Sequence, residues 1–360
     1  MNKKTFSTTV GDRTWEATFN DLADQANGSV MLACDDTVVL ATAVMSSDGS
    51  GNRGWFNLTV EYMEKYYAVG EILGGPFTRR EGRPSTQATL GSRIIDRTLR
   101  PLFPQHIKNA IQVIITVLAV GDADPVVLGV NAASLALATS DIPWGGPVGC
   151  VRLATPHGQD GPQLNPYIRA TKSDTSKETD YAFDLLVCGA NGTLNMIEAA
   201  SFEASEDELG SALEAAQTEI TTIESWQNDV VGEIGKEKKD MPAPELPAEI
   251  KDLFENEFRA RMLDGLFGDD SKSRINGFEE EWKDVIAQKY PDDVALGKEA
   301  YEANAQSRGL AAGFFHDMVD ELYHHGALVE NKRADLRAMD EVRGLYAQAG
   351  GISPRLHGSG

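Results

Sequence analysis

Six arginines gathered in a short stretch are the residues of this chain whose types and spacing best suit chemistry. The stretch, residues 77–103, has only Glu81 and Asp96 to oppose them, although the whole chain has a formal net charge of -22. A guanidinium group keeps its proton and presents a rigid fork of donors that matches two phosphate oxygens at once. This stretch, which we call the arginine segment, is therefore predicted to bind a phosphate-rich anion. Its arginines are Arg79, Arg80, Arg83, Arg93, Arg97 and Arg100.

The second part of the arginine segment is predicted to be a helix that begins after Ser85 and ends before Pro101. Serine caps free N–H groups, and proline cannot continue the hydrogen-bond ladder. The arginines that follow one another at i, i+4 and i+7, and so share one helix face, are Arg93, Arg97 and Arg100. Asp96 is spaced to pair with the first or the last of them, so local salt bridges on a solvated face are the alternative interpretation.

The first part of the arginine segment is predicted to be a loop, because glycine and proline are frequent over residues 74–84. An aromatic ring beside loop arginines suits single-stranded nucleic acid: a base stacks on the ring, and the phosphates meet the cations. The predicted RNA-binding residues of this loop are Phe77, Arg79, Arg80 and Arg83. The alternative is that Phe77 packs and the arginines are solvated.

The composition is that of an ordinary globular protein. The chain has 360 residues, of which 41% are hydrophobic and 24% charged. No apolar run reaches the roughly 18 to 20 residues of a membrane span, and the N-terminus lacks the pattern of a signal peptide. A cytoplasmic location without membrane contact is expected. The cysteines lack the spacing of metal ligands and are predicted to be buried thiols: Cys34, Cys150 and Cys188.

Most of the acidity lies in one block of the chain. Residues 201–300 contain 26 Asp or Glu and 11 Lys or Arg. The overall negative charge is therefore compatible with a local basic surface elsewhere.

Periodicity predicts a β-rich start, a mixed middle and a helical end. Residues 1–70 alternate apolar and polar residues around turn signals. The remaining predictions are a fully buried strand at 111–120, a packed helix at 128–140, a hairpin at 181–201, an amphipathic helix at 205–226, a linker at 236–247, helices over 248–330, and one short strand-like run after 330.

Five carboxylates near predicted strand ends have the chemistry to bind a divalent metal. Isolated carboxylates at such places usually bind water, so no metal site is predicted in this chain. The residues are Asp122, Asp124, Glu178, Asp180 and Asp184.

These motifs together resemble the polynucleotide phosphorylase family. The runs that carry the resemblance are Phe77–Ser85, Ser92–Arg97 and Arg100–Pro104, and a weaker likeness extends over essentially the whole chain. The resemblance implies an α+β fold: an RNase PH-like domain of the β-α-β-α, ribosomal protein S5 domain 2-like type, followed by an all-α domain. It implies that residues 1–235 are the first RNase PH-like domain, 240–330 the helical domain, and 331–360 a linker and the start of a truncated second RNase PH-like domain.

The resemblance also implies a function. Family members are homotrimers that degrade single-stranded RNA from its 3′ end with inorganic phosphate and Mg²⁺, and release nucleoside diphosphates during mRNA turnover, in some cases with partners in RNA-degradation assemblies. The loop matching Phe77–Arg80 lines their central channel. The helix matching Arg93, Arg97 and Arg100 lies near the catalytic cleft and contacts phosphate or the RNA backbone.

The departures from the family pattern imply that this chain is not catalytic by itself. The family's catalytic serines and metal-binding aspartates belong to the second RNase PH-like domain. Here the run that aligns with the serines is Ala123–Val126, whose acid and proline do not suit phosphate. Asp184 aligns with one catalytic carboxylate, while the other falls near Glu178 without its usual motif. Thr78 replaces a common second aromatic residue, and Thr98 replaces a usual proline.

Two other functions remain open from the sequence. The chain could be a stand-alone, non-catalytic RNA-binding or assembly module. It could also be a small-molecule phosphotransferase of similar fold, whose arginines clamp a nucleotide.

Overall fold

Two β-sheets and the helices packed against them build the first of two units in the computed structural model. The units are Met1–Ala243 and Pro244–Gly360. The structure describes residues 3–49, 56–72, 74, 82–156, 161–166, 181–268 and 270–358.

The first sheet has six strands in the order β1-β2-β3-β4-β6-β5. Short turns join β1 to β2 and β3 to β4, which pair antiparallel, whereas β5 and β6 pair in parallel. The predicted hairpin around Gly11-Asp12 is confirmed. The strands are β1 (Lys4–Val10), β2 (Arg13–Phe19), β3 (Gly28–Cys34), β4 (Thr37–Gly49), β5 (Leu58–Glu64) and β6 (Asn109–Ala119).

The prediction that the strand at 111–120 is buried on both faces is wrong. In β6 the residues Ile111, Val113, Ile115 and Val117 are buried, and the residues between them are half-buried or exposed. Helices α1 (Thr86–Leu99) and α2 (Pro125–Thr139) pack on one face of this sheet. A continuous run of β-branched residues therefore reflected strand propensity rather than burial on both sides.

The second sheet has four strands in the order β10-β9-β7-β8, all antiparallel. The predicted hairpin at 181–201 is confirmed as β9 and β10. Helix α3 (Glu206–Ile234) packs on β7 and β9 and begins with a capping box between Ser205 and Glu208. The strands are β7 (Gly149–Pro156), β8 (Gln163–Leu164), β9 (Tyr181–Ala190) and β10 (Thr193–Ser201).

Helix α2 is the buried centre of the first unit. Nearly all of its residues are buried, as its small side chains predicted. The amide of Asn131 donates to the carbonyl of Cys150 (2.9 Å) and accepts from its N–H (3.2 Å), so it satisfies the backbone of β7 at a residue that β8 does not pair with. The three cysteines are buried, as predicted.

The charged part of the predicted linker is attached to the first unit. Lys238 Nζ donates to the carbonyls of Leu137, Ala138 and Ser140 at 2.8, 3.0 and 2.8 Å. These carbonyls lie at the C-terminal end of α2, where a cation is favourable. The chain therefore passes to the second unit only at Ala243.

The second unit is helical, as predicted. Its helices are α4 (Ala248–Leu253), α5 (Arg259–Gly265), α6 (Ser271–Lys289) and α7 (Lys298–Leu328), and one π-helical turn, Phe254–Phe258, joins the first two. Its core is aromatic, with Phe254, Phe258, Trp282 and Phe315 fully buried. Residues 331–358 form no helix or strand, so the strand-like run predicted after 330 is wrong. No helix within the described residues is long and apolar enough to cross a membrane.

Candidate nucleic-acid interface

Helix α1 begins where the sequence predicted. The Ser85 hydroxyl accepts a hydrogen bond from the N–H of Ala88 (2.9 Å) and donates to Glu64, the last residue of β5 (3.0 Å). Ser85 therefore caps α1 and attaches its N-terminal end to the C-terminal end of β5.

Arg100 attaches the C-terminal end of α1 to the backbone at the start of β5. Its guanidinium donates to both carboxylate oxygens of Asp96 (2.9 and 2.6 Å) and to the carbonyls of Phe56 (3.3 Å) and Leu58 (3.2 Å). Because Leu58 is the first residue of β5, α1 and β5 run in opposite directions. Most donors of Arg100 are thus used inside the protein.

Arg93 and Arg97 are exposed, and neither makes a hydrogen bond or ion pair with a residue that the structure describes. With Arg100 they line a shallow cavity of about 260 Å³, which Val60, Ser92 and Asp96 complete. The salt-bridge interpretation of this helix therefore applies to Arg100 and not to the other two. The cavity presents two unpaired guanidinium groups to solvent.

The loop part of the arginine segment is described only at its end. Phe77, Arg79 and Arg80, together with Thr78, lie outside the described residues. Arg83 is described and is exposed. It has no ion pair within the described part of the chain, and it lies two residues before the cap of α1.

Thr98 is buried within α1 and continues the helix. Its hydroxyl donates to the carbonyl of Ile94 (2.9 Å), and its own carbonyl accepts from the Asn195 amide of β10 (3.2 Å). The contact with Asn195 attaches the arginine helix to the second sheet.

A second polar cluster joins two of the carboxylates that were considered as metal ligands. Arg152 of β7 donates to Asp124 (2.6 Å) and to both oxygens of Asp184, the Nε bond being 2.7 Å. Asp124 is 3% exposed and also caps α2 through the N–H of Val126 (2.8 Å). Burial alone would lower the pKa of Arg152, but its hydrogen bonds and ion pairs with Asp184 and Asp124 outweigh burial and raise the pKa.

This cluster, which we call the Asp–Arg–Asp triad, does not fit a metal or a phosphate. Its guanidinium already occupies the space between the two carboxylates, and Asp124 occupies the N–H groups that a phosphate would use at the start of α2. Glu178 and Asp180 lie outside the described residues. No three His, Cys, Asp or Glu side chains are grouped to hold a metal in the parts of the chain that the structure describes.

Sequence reasoning missed Arg152. The signal was a single arginine within the apolar strand sequence VGCVRLA. A charged residue in a buried strand requires a partner of opposite charge, because an unpaired buried charge is costly.

The first part of the chain is a domain of known class. Residues 11–143 match the 3′ exoribonuclease family, domain 1. They cover β2 to α2 and include α1 with its arginines. This part of the chain is therefore an RNase PH domain of that family.

Comparison with particular proteins extends the likeness over the whole chain. It is 34% identical to the polyribonucleotide nucleotidyltransferase of Enterococcus faecalis over 359 residues, which is 99% of this chain and 49% of that protein. It is 35% identical to that of Geobacillus kaustophilus, over 100% of this chain and 47% of the relative. The chain thus spans about half the length of the curated relatives it matches. Among solved structures, rice Rrp46 is 16% identical, with a TM-score of 0.46 over 64% of this chain and 94% of that one.

Proposed function

We propose that this chain is the RNA-binding and scaffold part of a polyribonucleotide nucleotidyltransferase, an enzyme that degrades single-stranded RNA in the 3′ to 5′ direction by phosphorolysis. The observation that carries the proposal is the pair of unpaired guanidinium groups, Arg93 and Arg97, at the cavity on α1. The similarity to enzymes of this name supports the choice of reaction.

The reaction needs groups that hold charged oxygens in place. An oxygen of inorganic phosphate attacks the last phosphodiester of the RNA, the 3′ oxygen of the shortened strand leaves, and a nucleoside diphosphate is released. In the proposal Arg93 and Arg97 hold backbone phosphates near the 3′ end. Arg100 positions α1 and contributes positive charge to the cavity. The loop residues Phe77, Arg79, Arg80 and Arg83 grip the strand further from its end.

We assign no catalytic residue to this chain. The Asp–Arg–Asp triad satisfies both carboxylates internally, so neither is available to hold a metal. In the proposal the whole enzyme uses Mg²⁺ and inorganic phosphate at residues outside this chain. It works as a cytoplasmic homotrimer in mRNA turnover, and it associates with other RNA-degradation proteins.

The test is nucleoside diphosphate release from poly(A) with phosphate and Mg²⁺, measured beside the binding of a labelled oligoadenylate. The chain alone is expected to bind RNA, with an affinity that falls steeply with salt, and to release no nucleoside diphosphate. Robust turnover by the isolated chain would refute the non-catalytic assignment. An absence of binding, or an affinity that does not change with salt concentration, would refute the RNA-binding role.

A stand-alone, non-catalytic RNA-binding module is the second candidate, since the Asp–Arg–Asp triad leaves neither carboxylate available for catalysis under either proposal. The coding sequence discriminates the two. A reading frame that continues beyond Gly360 with serine and aspartate motifs supports the enzyme, whereas a stop codon there supports the module.

A further inference from the structure

Two exposed tyrosines stand between β5 and the arginine segment. Tyr66 and Tyr67 are 49% and 55% exposed. Within the described residues, neither ring packs on another aromatic ring or on a cation. Large side chains that are half-exposed and uncovered often mark a binding surface.

The backbone that carries the two rings is well anchored. They belong to a 3₁₀ turn, Tyr66–Val69, whose Ala68 is buried and accepts a hydrogen bond from the N–H of Val120 (2.8 Å). Gly70 ends the turn with a φ of 76° and donates to the carbonyl of Tyr67 (3.0 Å). The backbone that carries the rings is therefore held in one conformation, which lowers the conformational entropy lost when the rings bind a partner.

The turn lies at the N-terminal end of the arginine helix. Glu64, two residues before Tyr66, accepts the hydrogen bond of Ser85, which caps α1. Arg97 follows Ser85 by twelve residues, or about 18 Å of helix. Arg93 follows Ser85 by eight residues, or about 12 Å, and so lies in the middle of α1. The turn and the two guanidinium groups are thus separated by lengths of helix that a strand of a few nucleotides spans.

We propose that Tyr66 and Tyr67 stack on unpaired bases of the RNA strand whose phosphates are bound by Arg93 and Arg97. This inference rests on the proposed function and adds a base-contacting surface to it. Base stacking on an aromatic ring tolerates any sequence, since every base has a flat face. The apolar side chains of Val69 and Ile72, which follow the two tyrosines in the chain, are also exposed and suit base faces better than phosphates.

The test compares two RNA-like ligands and three variants. The ligands are a labelled oligoadenylate and an abasic oligomer with the same ribose-phosphate backbone. The double variant Y66A/Y67A is expected to lose about 5- to 150-fold in oligoadenylate affinity for each base that was stacked. Its salt dependence should stay unchanged, because no phosphate contact is removed. Its affinity for the abasic oligomer should equal that of the wild type.

Two controls make the comparison specific. Y66F/Y67F keeps both rings and should retain the wild-type affinity. Y346A removes a tyrosine that is 86% exposed elsewhere in the chain and should have no effect.

The results that would contradict the stacking proposal differ from those that would contradict the proposed function. An unchanged oligoadenylate affinity in Y66A/Y67A, or an equal loss on the abasic oligomer, refutes the stacking proposal. A changed mass in sedimentation with unchanged RNA affinity would make this surface a contact between copies of the chain. Absent or salt-independent binding by the wild type would refute the proposed function itself, and the stacking proposal with it.

Discussion

The Asp–Arg–Asp triad gives the most demanding test of the structure, through the substitution Arg152→Met. Methionine keeps an unbranched apolar side chain and removes the guanidinium. It leaves Asp124, 3% exposed, and Asp184, with a side chain 23% exposed, as neighbouring carboxylates without their common partner. Breaking a buried ion pair by removing one side costs about 3–5 kcal/mol.

We expect a loss near the lower end of this range, about 3 kcal/mol in the free energy of unfolding, because Asp184 keeps some contact with water. For a unit of this size that corresponds to a fall in Tm of about 6–12 °C. Urea and thermal unfolding followed by circular dichroism measure both quantities. The matched control is Lys4→Met, which breaks an ion pair with Glu233 whose side chains are about half exposed, and should cost at most about 1 kcal/mol.

Restoration of stability separates electrostatics from packing. The triple variant R152M/D124N/D184N replaces both carboxylates by neutral amides, and asparagine at 124 can still cap α2. It should recover most of the lost stability. If R152M lowers the free energy of unfolding no more than the Lys4→Met control does, the triad does not stabilise the first unit. If the triple variant is no more stable than R152M, the loss comes from packing rather than from unpaired charge.

Three further predictions concern single features. Replacing Arg93 and Arg97 by alanine should lower the slope of log affinity for oligoadenylate against log salt by about 1.4, since each phosphate contact contributes about 0.7; an unchanged slope would leave them as solvated side chains. Burial raises the pKa of Glu224 above its ordinary 4.5. The protonated form therefore stabilises the fold at low pH, and this contribution is lost as pH rises through the raised pKa. The free energy of unfolding of Glu224→Gln, relative to that of the wild type, should therefore be higher at pH 7 than at pH 4. Chemical unfolding at the two pH values measures this difference, and the same difference at both would contradict the prediction. Gly28→Ala would place a Cβ against a backbone carbonyl of α2 and should cost about 1–3 kcal/mol in the free energy of unfolding. Gly210→Ala in α3 should stabilise, because its added Cβ would meet no other described segment within 4 Å. Equal thermal shifts for the two variants would contradict the close approach at Gly28.

Local signals predicted much of the first unit. The cap at Ser85, the stop at Pro101 and the turn at Asn191-Gly192 each determine their own neighbourhood through backbone geometry. Their elements were therefore predicted within a few residues of where the structure has them. The burial of the strand at 111–120 could not be predicted in the same way, because β-branched residues favour a strand whether one of its faces is covered or both.

The candidate site was predicted in part. The spacing of Arg93, Arg97 and Arg100 placed them on one helix face, and they do line one cavity. The sequence could not say which of them Asp96 would pair with, because Arg93 at i−3 and Arg100 at i+4 are both within reach of its carboxylate. The carbonyls of Phe56 and Leu58, distant in sequence, complete the partners of Arg100, whereas Arg93 and Arg97 have no partner among the described residues.

By itself the sequence determined the helix that carries the arginines, its limits and its positive charge. These depend on neighbouring residues and on the fixed charge of guanidinium. Only the tertiary structure decided which guanidinium groups are available, because availability depends on acceptors supplied by β5. It also decided that Arg152 joins Asp124 and Asp184, residues 28 and 32 positions away, since strand pairing and helix packing bring these segments together. Contacts between distant segments arise from packing of the whole unit, which no local pattern encodes.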